Sequence, residues 1–186
     1  MRGAAAVLPA LAVLLMAAGS PTDGAPPPRV APFGDQISEQ RLPLYHRVTP
    51  MIATSGPIND AGVIEAKRVG FAMIVDLRPA GADIASEKQH SEFSRIRYVN
   101  IPVQGVPTAD QVKQFADIVA DRSNLPLLLH GTDIDQSGAM WALYRASLGV
   151  PPAIAFEDGV AAGLNAGGPA VQAKLNEMGH KPGGQP

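Results

Sequence analysis

The stretch LLLHGTDIDQSGAMWAL (127–143) crowds His130, Thr132, Asp133, Asp135, Gln136 and Ser137 between an apolar run of strand length and an apolar run of helix length. A strand–loop–helix turn of this kind aims backbone N–H groups and the positive end of the helix at whatever lies above it, which suits anions and phosphate in particular. Asp133 and Asp135 oppose that preference. Two unit charges about 4 Å apart interact by roughly 4 kcal/mol at an effective dielectric of 20, whereas an exposed helix end supplies only ~0.3–1 kcal/mol. If both aspartates face the pocket, a phosphate dianion is rejected; if they point to solvent, the backbone still cradles a weakly bound anion. The candidate ligand-contacting residues are His130, Thr132, Asp133, Asp135, Gln136, Ser137 and Gly138. A second chemistry is open to the same set. Two carboxylates and a histidine can act as an acid/base pair or as metal ligands, so a hydrolase working through Asp133, Asp135 and His130 is the competing reading.

Other chemistries are excluded or weakly supported. There is no cysteine, hence no disulfide, thiolate metal site or thiol nucleophile. "DIDQSG" (133–138) begins like a calcium loop, but Ser137 takes its third ligand place and Tyr144 falls where a bidentate glutamate is required. His46, His90 and His180 have no metal-ligand spacing and are expected at the surface. No metal and no cofactor are expected. The net charge of −2 and the aromatic content of 5% do not suit a nucleic-acid partner. His130 is expected to hydrogen-bond backbone and shape the loop. Asp76 could be a general acid, but it is more simply read as capping a turn or pairing with Arg78. Trp141 is most simply core.

The elements around these residues alternate strand and helix. Strands are expected over 51–55, 71–77, 97–103 and 126–129, the last apolar on both sides and therefore central. Asn59 is placed to cap a helix over 60–69 that stops at Gly70, a polar helix covers 84–94, and the capping box Thr108-x-x-Gln111 opens a helix over 109–121. The run 137–148 is apolar almost all round and is expected to be a buried helix, with two more helices over 151–163 and 169–178. This order predicts an α/β domain of three layers, a mainly parallel central sheet flanked by helices. Ligands of such sheets bind at the carboxyl ends of the strands, where His130 to Gln136 falls.

The ends read differently. MRGAAAVLPALAVLLMAAGS has a basic start, an uncharged apolar run and small residues, the pattern of a secretory signal peptide over 1–19 with Ser20 as the first mature residue. A Pro/Gly-rich linker over 20–36, a folded domain over 37–179 and a loose tail over 180–186 complete the expected organisation. The mature protein is expected to be exported to the periplasm, with no membrane association after signal cleavage. Its partners are unknown beyond a weak anion or small ligand at the loop.

Ser55-Gly56, "VDLRP" (75–79), "YVNIPV" (98–103) and "LLLHGTDIDQSGAMWALYRA" (127–146), in that order, resemble the bacterial dual-specificity-phosphatase-like proteins, also called the beta-lactamase-hydrolase-like phosphatase family. The similarity covers most of residues 40–165. It implies a protein-tyrosine-phosphatase-like fold and a loop of the form H-C-x-x-G-x-R-S-G-A, in which cysteine attacks phosphorus and arginine cradles the phosphate. Against that pattern His130, Ser137, Gly138 and Ala139 match. Gly131 falls on the nucleophile and Gln136 on the arginine. Glycine has no side chain with which to attack, and a glutamine brings no charge to oxygens that gain charge in the transition state. The resemblance thus implies no catalytic residue at Gly131 or Gln136, and an exported pseudophosphatase with a binding or structural role.

Overall fold

The structure is a computed structural model that describes residues 37–79 and 81–179. The leader (1–19), linker (20–36) and tail (180–186) expected from the sequence lie outside the described residues. Twelve-residue and shorter helices alternate with four-residue strands: β1 His46–Thr49, β2 Ile52–Ser55, α1 Asp60–Arg68, β3 Met73–Asp76, α2 Ala82–Phe93, β4 Arg97–Asn100 and α3 Ala109–Ala120. After a single 3-10 turn at Arg122–Asn124 come β5 Leu127–His130, α4 Ile134–Ser147, α5 Pro152–Ala161 and α6 Gly168–Gly179.

The strands form one sheet in the order β1-β2-β5-β3-β4, in which β1 is antiparallel to β2 and the other pairings are parallel. β5 is central, as its apolar character on both sides requires. Leu127 and Leu129 face one core with Ile52, Met73 and Val75, while Leu128 faces the other with Ala53 and Ile74. The first core is closed by residues of α3, α4, α5 and α6, the second by Val63 and Ala66 of α1 with Phe71. The result is the expected three-layer α/β arrangement. The edge strand β1 and the 3-10 turn were not anticipated, because HRVT is too short and too polar to stand out as a strand.

Local signals account for most helix ends. The Asn59 side chain accepts from the amides of Ala61 and Gly62 at the start of α1. Both halves of the Thr108–Gln111 capping box are present at α3. At α4 the structure corrects the sequence reading: the helix begins at Ile134, not Ser137, because Asp133 acts as its N-cap and accepts from the Gln136 amide. Asp135 and Gln136 are therefore first-turn helix residues rather than loop residues.

The parallel register sets up the site. Ser55 pairs with His130 and His130 with Asp76, while Asp76 pairs with Asn100, so the carboxyl ends of four strands meet in one row. α4 packs down on this row because Gly138 lets it approach the chain after α5. A Cβ at Gly138 would lie 2.3 Å from the Leu164 backbone nitrogen. Gly138→Ala is accordingly expected to destabilise the fold by about 1–3 kcal/mol, the range for overpacking, read as a lowered urea midpoint with an unchanged denaturant slope.

Candidate functional site

The β5–α4 connection consists of only Gly131, Thr132 and Asp133 between strand and helix. In the phosphatase loop pattern the internal glycine falls on Ile134, which is already helical. Gln136 completes the change. Its Oε1 accepts from the Thr132 amide at 2.8 Å and its Nε2 donates to the Val103 carbonyl at 3.3 Å. The carboxamide lies over Gly131, where an added Cβ would stand 2.4 Å from Gln136 Oε1 and 2.9 Å from Gln136 Cβ. The space above Gly131 is filled by the Gln136 side chain.

The two aspartates are both engaged with backbone. Asp133 caps α4 through the Gln136 amide at 2.9 Å. Asp135 turns the other way and accepts from the amides of Asn165, Ala166 and Gly167, the loop that leads into α6. Both aspartates and Gln136 also border a cleft of about 350 Å³ with Gly105, Val106 and Ala139. Of the seven residues singled out in the sequence, Thr132 and Asp133 are exposed, and Asp135 and Gln136 are half-buried. His130 and Ser137 are wholly buried, and Gly138 is sealed against Leu164. Ser137 Oγ donates to the Ser55 carbonyl at 3.1 Å, fastening α4 to β2.

His130 belongs to a different group. It does not bond backbone as expected. Its Nε2 donates to Glu87 Oε1 on α2 at 2.7 Å, which places the proton on Nε2, and its buried Nδ1 has no hydrogen-bond partner among the described residues. Glu87 Oε2 also accepts from Arg78 Nη2. Arg78 in turn holds Asp76 with Nε and Nη2 (3.1 and 2.8 Å) and with its own amide (2.8 Å), and Tyr98 OH donates to Asp76 Oδ2 at 2.6 Å. The expected Asp76–Arg78 pairing is present; Glu87 and Tyr98 were missed. Nothing in the polar pattern of helix 84–94 marks Glu87, rather than Glu92, as buried. Its i+9 spacing from Arg78 becomes a contact only once α2 folds onto the sheet end.

The electrostatics follow from burial. Burial alone would raise the Asp76 carboxyl, but hydrogen bonds from Arg78 and Tyr98 and the nearby His130 outweigh it and hold it below the usual carboxylate range. Burial works against the Arg78 guanidinium, yet Asp76 and Glu87 raise it well above its ordinary value. Burial and the bond to Asp76 push the Tyr98 phenol far up, so it is a donor at any physiological pH. Donor atoms of Asp76, Glu87 and His130 lie within 4.8 Å of one another, a spacing that could surround a cation. Arg78 already supplies the positive charge there, bonded to both carboxylates, so a metal would have to displace it.

Comparison with known proteins agrees with this geometry. A DUF442 protein of Shewanella putrefaciens CN-32 superposes with a TM-score of 0.62 at 22% identity, over 78% of this chain and 96% of that one. The core catalytic domain of the Saccharomyces cerevisiae PP-IP phosphatase Siw14, in complex with citrate, gives 0.61 at 14% identity over 72% and 84%. TpbA of Pseudomonas aeruginosa, in complex with pTyr, gives 0.55 at 19% identity over 73% and 87%. These likenesses establish the fold. Among curated proteins, "Probable NAD kinase 2, chloroplastic" of Oryza sativa subsp. japonica is 33% identical over 97 residues, 48% of this chain but only 10% of that protein. The family described as "DSP-PTPase phosphatase fused to NAD+ Kinase" matches residues 52–160, which span the sheet from β2 through α4 and most of α5. With more than half its length inside that match, the chain belongs to the DSP-PTPase phosphatase family.

Proposed function

We propose that this protein is a pseudophosphatase, a member of a phosphatase family whose own loop performs no thiol chemistry and serves a binding or structural role. The observation that carries the reading is the Gln136 carboxamide seated over Gly131 and bonded to the Thr132 amide. That amide is one of the donors a phosphate would need, and the helix end is taken by Asp133. The hydrolase reading through Asp133, Asp135 and His130 finds less support. The aspartates accept backbone N–H groups, and His130 is tied to Glu87 in the interior. Any ligand at this end meets Thr132, Asp133, Asp135 and Gln136 along the adjoining cleft, with His130, Ser137 and Gly138 as the support beneath.

Purified protein is expected to show no hydrolysis of an aryl phosphate above a Gln136→Ala control, and no thermal shift with phosphate or sulfate. Turnover well above that control overturns the proposal. Gly131→Cys alone is expected to restore nothing measurable, because the new side chain collides with Gln136 and no cation replaces it. Adding Gln136→Arg supplies that cation and removes the collision with the carboxamide oxygen, leaving only the approach to the residue-136 Cβ for the loop to take up. The double variant is expected to exceed the single one by on the order of 10²-fold, the worth of one transition-state donor. We further propose export through the N-terminal segment, tested by the mass of the mature chain, which should begin at Ser20, and by its recovery from the periplasmic fraction.

A further inference from the structure

At the opposite end of α4 from the β5–α4 loop, a cavity of about 620 Å³ opens between α3, the α4–α5 turn and the end of α6. Its size lies within the roughly 300–1,000 Å³ range of small-molecule sites. Its walls are largely apolar: Val112 and Ala116 from α3, Leu143 and Ala146 from α4, then Val150 and Met178. Leu148 lines it too, yet is 57% exposed, an aliphatic side chain left in water beside an apolar hollow. The charges around the cavity are closed on themselves. Lys113 pairs with Asp117 at 2.7 Å, and Lys174 with Glu177 at 3.0 Å. Each charged side chain in the lining, Lys113, Lys174 and Glu177, is thus already matched within the chain. The helix ends cancel as well. α3 and α5 begin at the cavity, while α4 and α6 end there, so two positive ends offset two negative ones.

We propose that this cavity binds an uncharged aliphatic molecule, a medium-chain alcohol, with its chain between α3 and α4 and its hydroxyl at the open side. The complementarity is of charge as well as of surface: a chain without polar atoms meets apolar walls, and a head group without charge meets a rim without net charge. The walls supply affinity in proportion to the area withdrawn from water. A hydroxyl gives up little hydration at such a rim. A carboxylate or an ammonium gives up more, and finds there no counter-charge that is not already paired. The inference uses none of the residues on which the pseudophosphatase reading rests, and either can fail without the other.

The test is isothermal titration of the full chain with decanol, decanoate and decylammonium, each below its aggregation concentration. Decanol is expected to bind saturably at one site. Decanoate and decylammonium are both expected to bind more weakly than decanol, and by similar factors, because the rim favours neither sign. Ala146→Trp, which fills the cavity, should weaken decanol by about tenfold or more. Ala116→Leu on the facing wall should reproduce the loss with the circular dichroism spectrum unchanged. Lys113→Ala with Lys174→Ala should leave decanol binding as it is in the wild type. The proposal is overturned by absence of saturable decanol binding, by tighter binding of either charged analogue, or by decanol affinity insensitive to both filling variants. A large loss in the double lysine variant also overturns it, since the rim charges and not the walls would then hold the ligand. It is equally overturned if Ala146→Trp instead disperses a dimer, which makes a second copy the occupant, or abolishes pelleting with lipid vesicles, which makes a membrane surface the occupant.

Discussion

Arg78→Ala is expected to destabilise the domain by about 3–5 kcal/mol, the range observed when one partner of a buried ion pair is removed. The reason is what it leaves behind. Asp76 is wholly buried and Glu87 nearly so, at 0% and 2% exposed. Among the described residues Arg78 is the one cation that hydrogen-bonds both carboxylates, with its own side chain 15% exposed. Without it, His130 and Tyr98 still donate to Glu87 and Asp76, but two carboxylates remain with no guanidinium between them. Arg78→Lys should recover only part of the loss, since an ammonium cannot grip Asp76 through two nitrogens while reaching Glu87. Urea unfolding at neutral pH measures both.

The same cluster has a predictable pH dependence. In the wild type, Asp76 has its carboxyl held below the usual range. A group depressed in the folded state contributes stability that is present above its unfolded value and is lost as pH falls through the folded one. With an ordinary aspartate near 3.9, that contribution is lost below about pH 4. In Arg78→Ala the burial effect, which raises the carboxyl, loses its main opponent. The folded value then moves up, and the penalty appears as pH rises through about 4. The stability gap between wild type and variant should therefore widen from acid to neutral pH. A gap independent of pH would mean that lost packing, not the charge, accounts for the effect.

The fold was legible because each of its main signals is local. Asn59, Thr108 and Gln111 act within three residues of where they stand, and Leu127–Leu129 declares a strand buried on both faces without reference to any neighbour. The β5–α4 loop was half legible. The resemblance to the phosphatase family singled out Gly131 and Gln136, the two residues on which the proposed function rests. No pattern in the chain says that the Gln136 carboxamide lies back over Gly131. The aspartates posed a choice between pocket and solvent; both border the cleft beside α4, yet their carboxylates are held by backbone, Asp133 by the helix in its own segment and Asp135 by a loop 30 residues later. Glu87 was invisible for the same reason. Its partners, Arg78 and His130, lie 9 and 43 residues away and meet it only across the finished sheet end. Capping at short range could be read from spacing, whereas side-chain contacts set by tertiary packing could not.

Asp135→Ala is expected to lower stability by about 2 kcal/mol, the upper part of the range for a lost helix cap. The carboxylate accepts from three successive amides, Asn165, Ala166 and Gly167, and so terminates the turn from which α6 starts at Gly168. Once it is removed, the exposed amides can turn to water, while Gly167 is half-buried and less able to do so. Asp135→Asn keeps one acceptor oxygen and should lose less than half as much. Hydrogen exchange should quicken at 165–167 ahead of the rest of the chain, because the clasp joins that loop to α4 and touches neither core strand. The variant also separates two accounts of the silence proposed for the loop. If Asp135 were a carboxylate that repels phosphate from an otherwise competent cradle, its removal would strengthen phosphate binding. If Gln136 itself fills the cradle, Asp135→Ala loosens α6 and binds phosphate no better than the wild type.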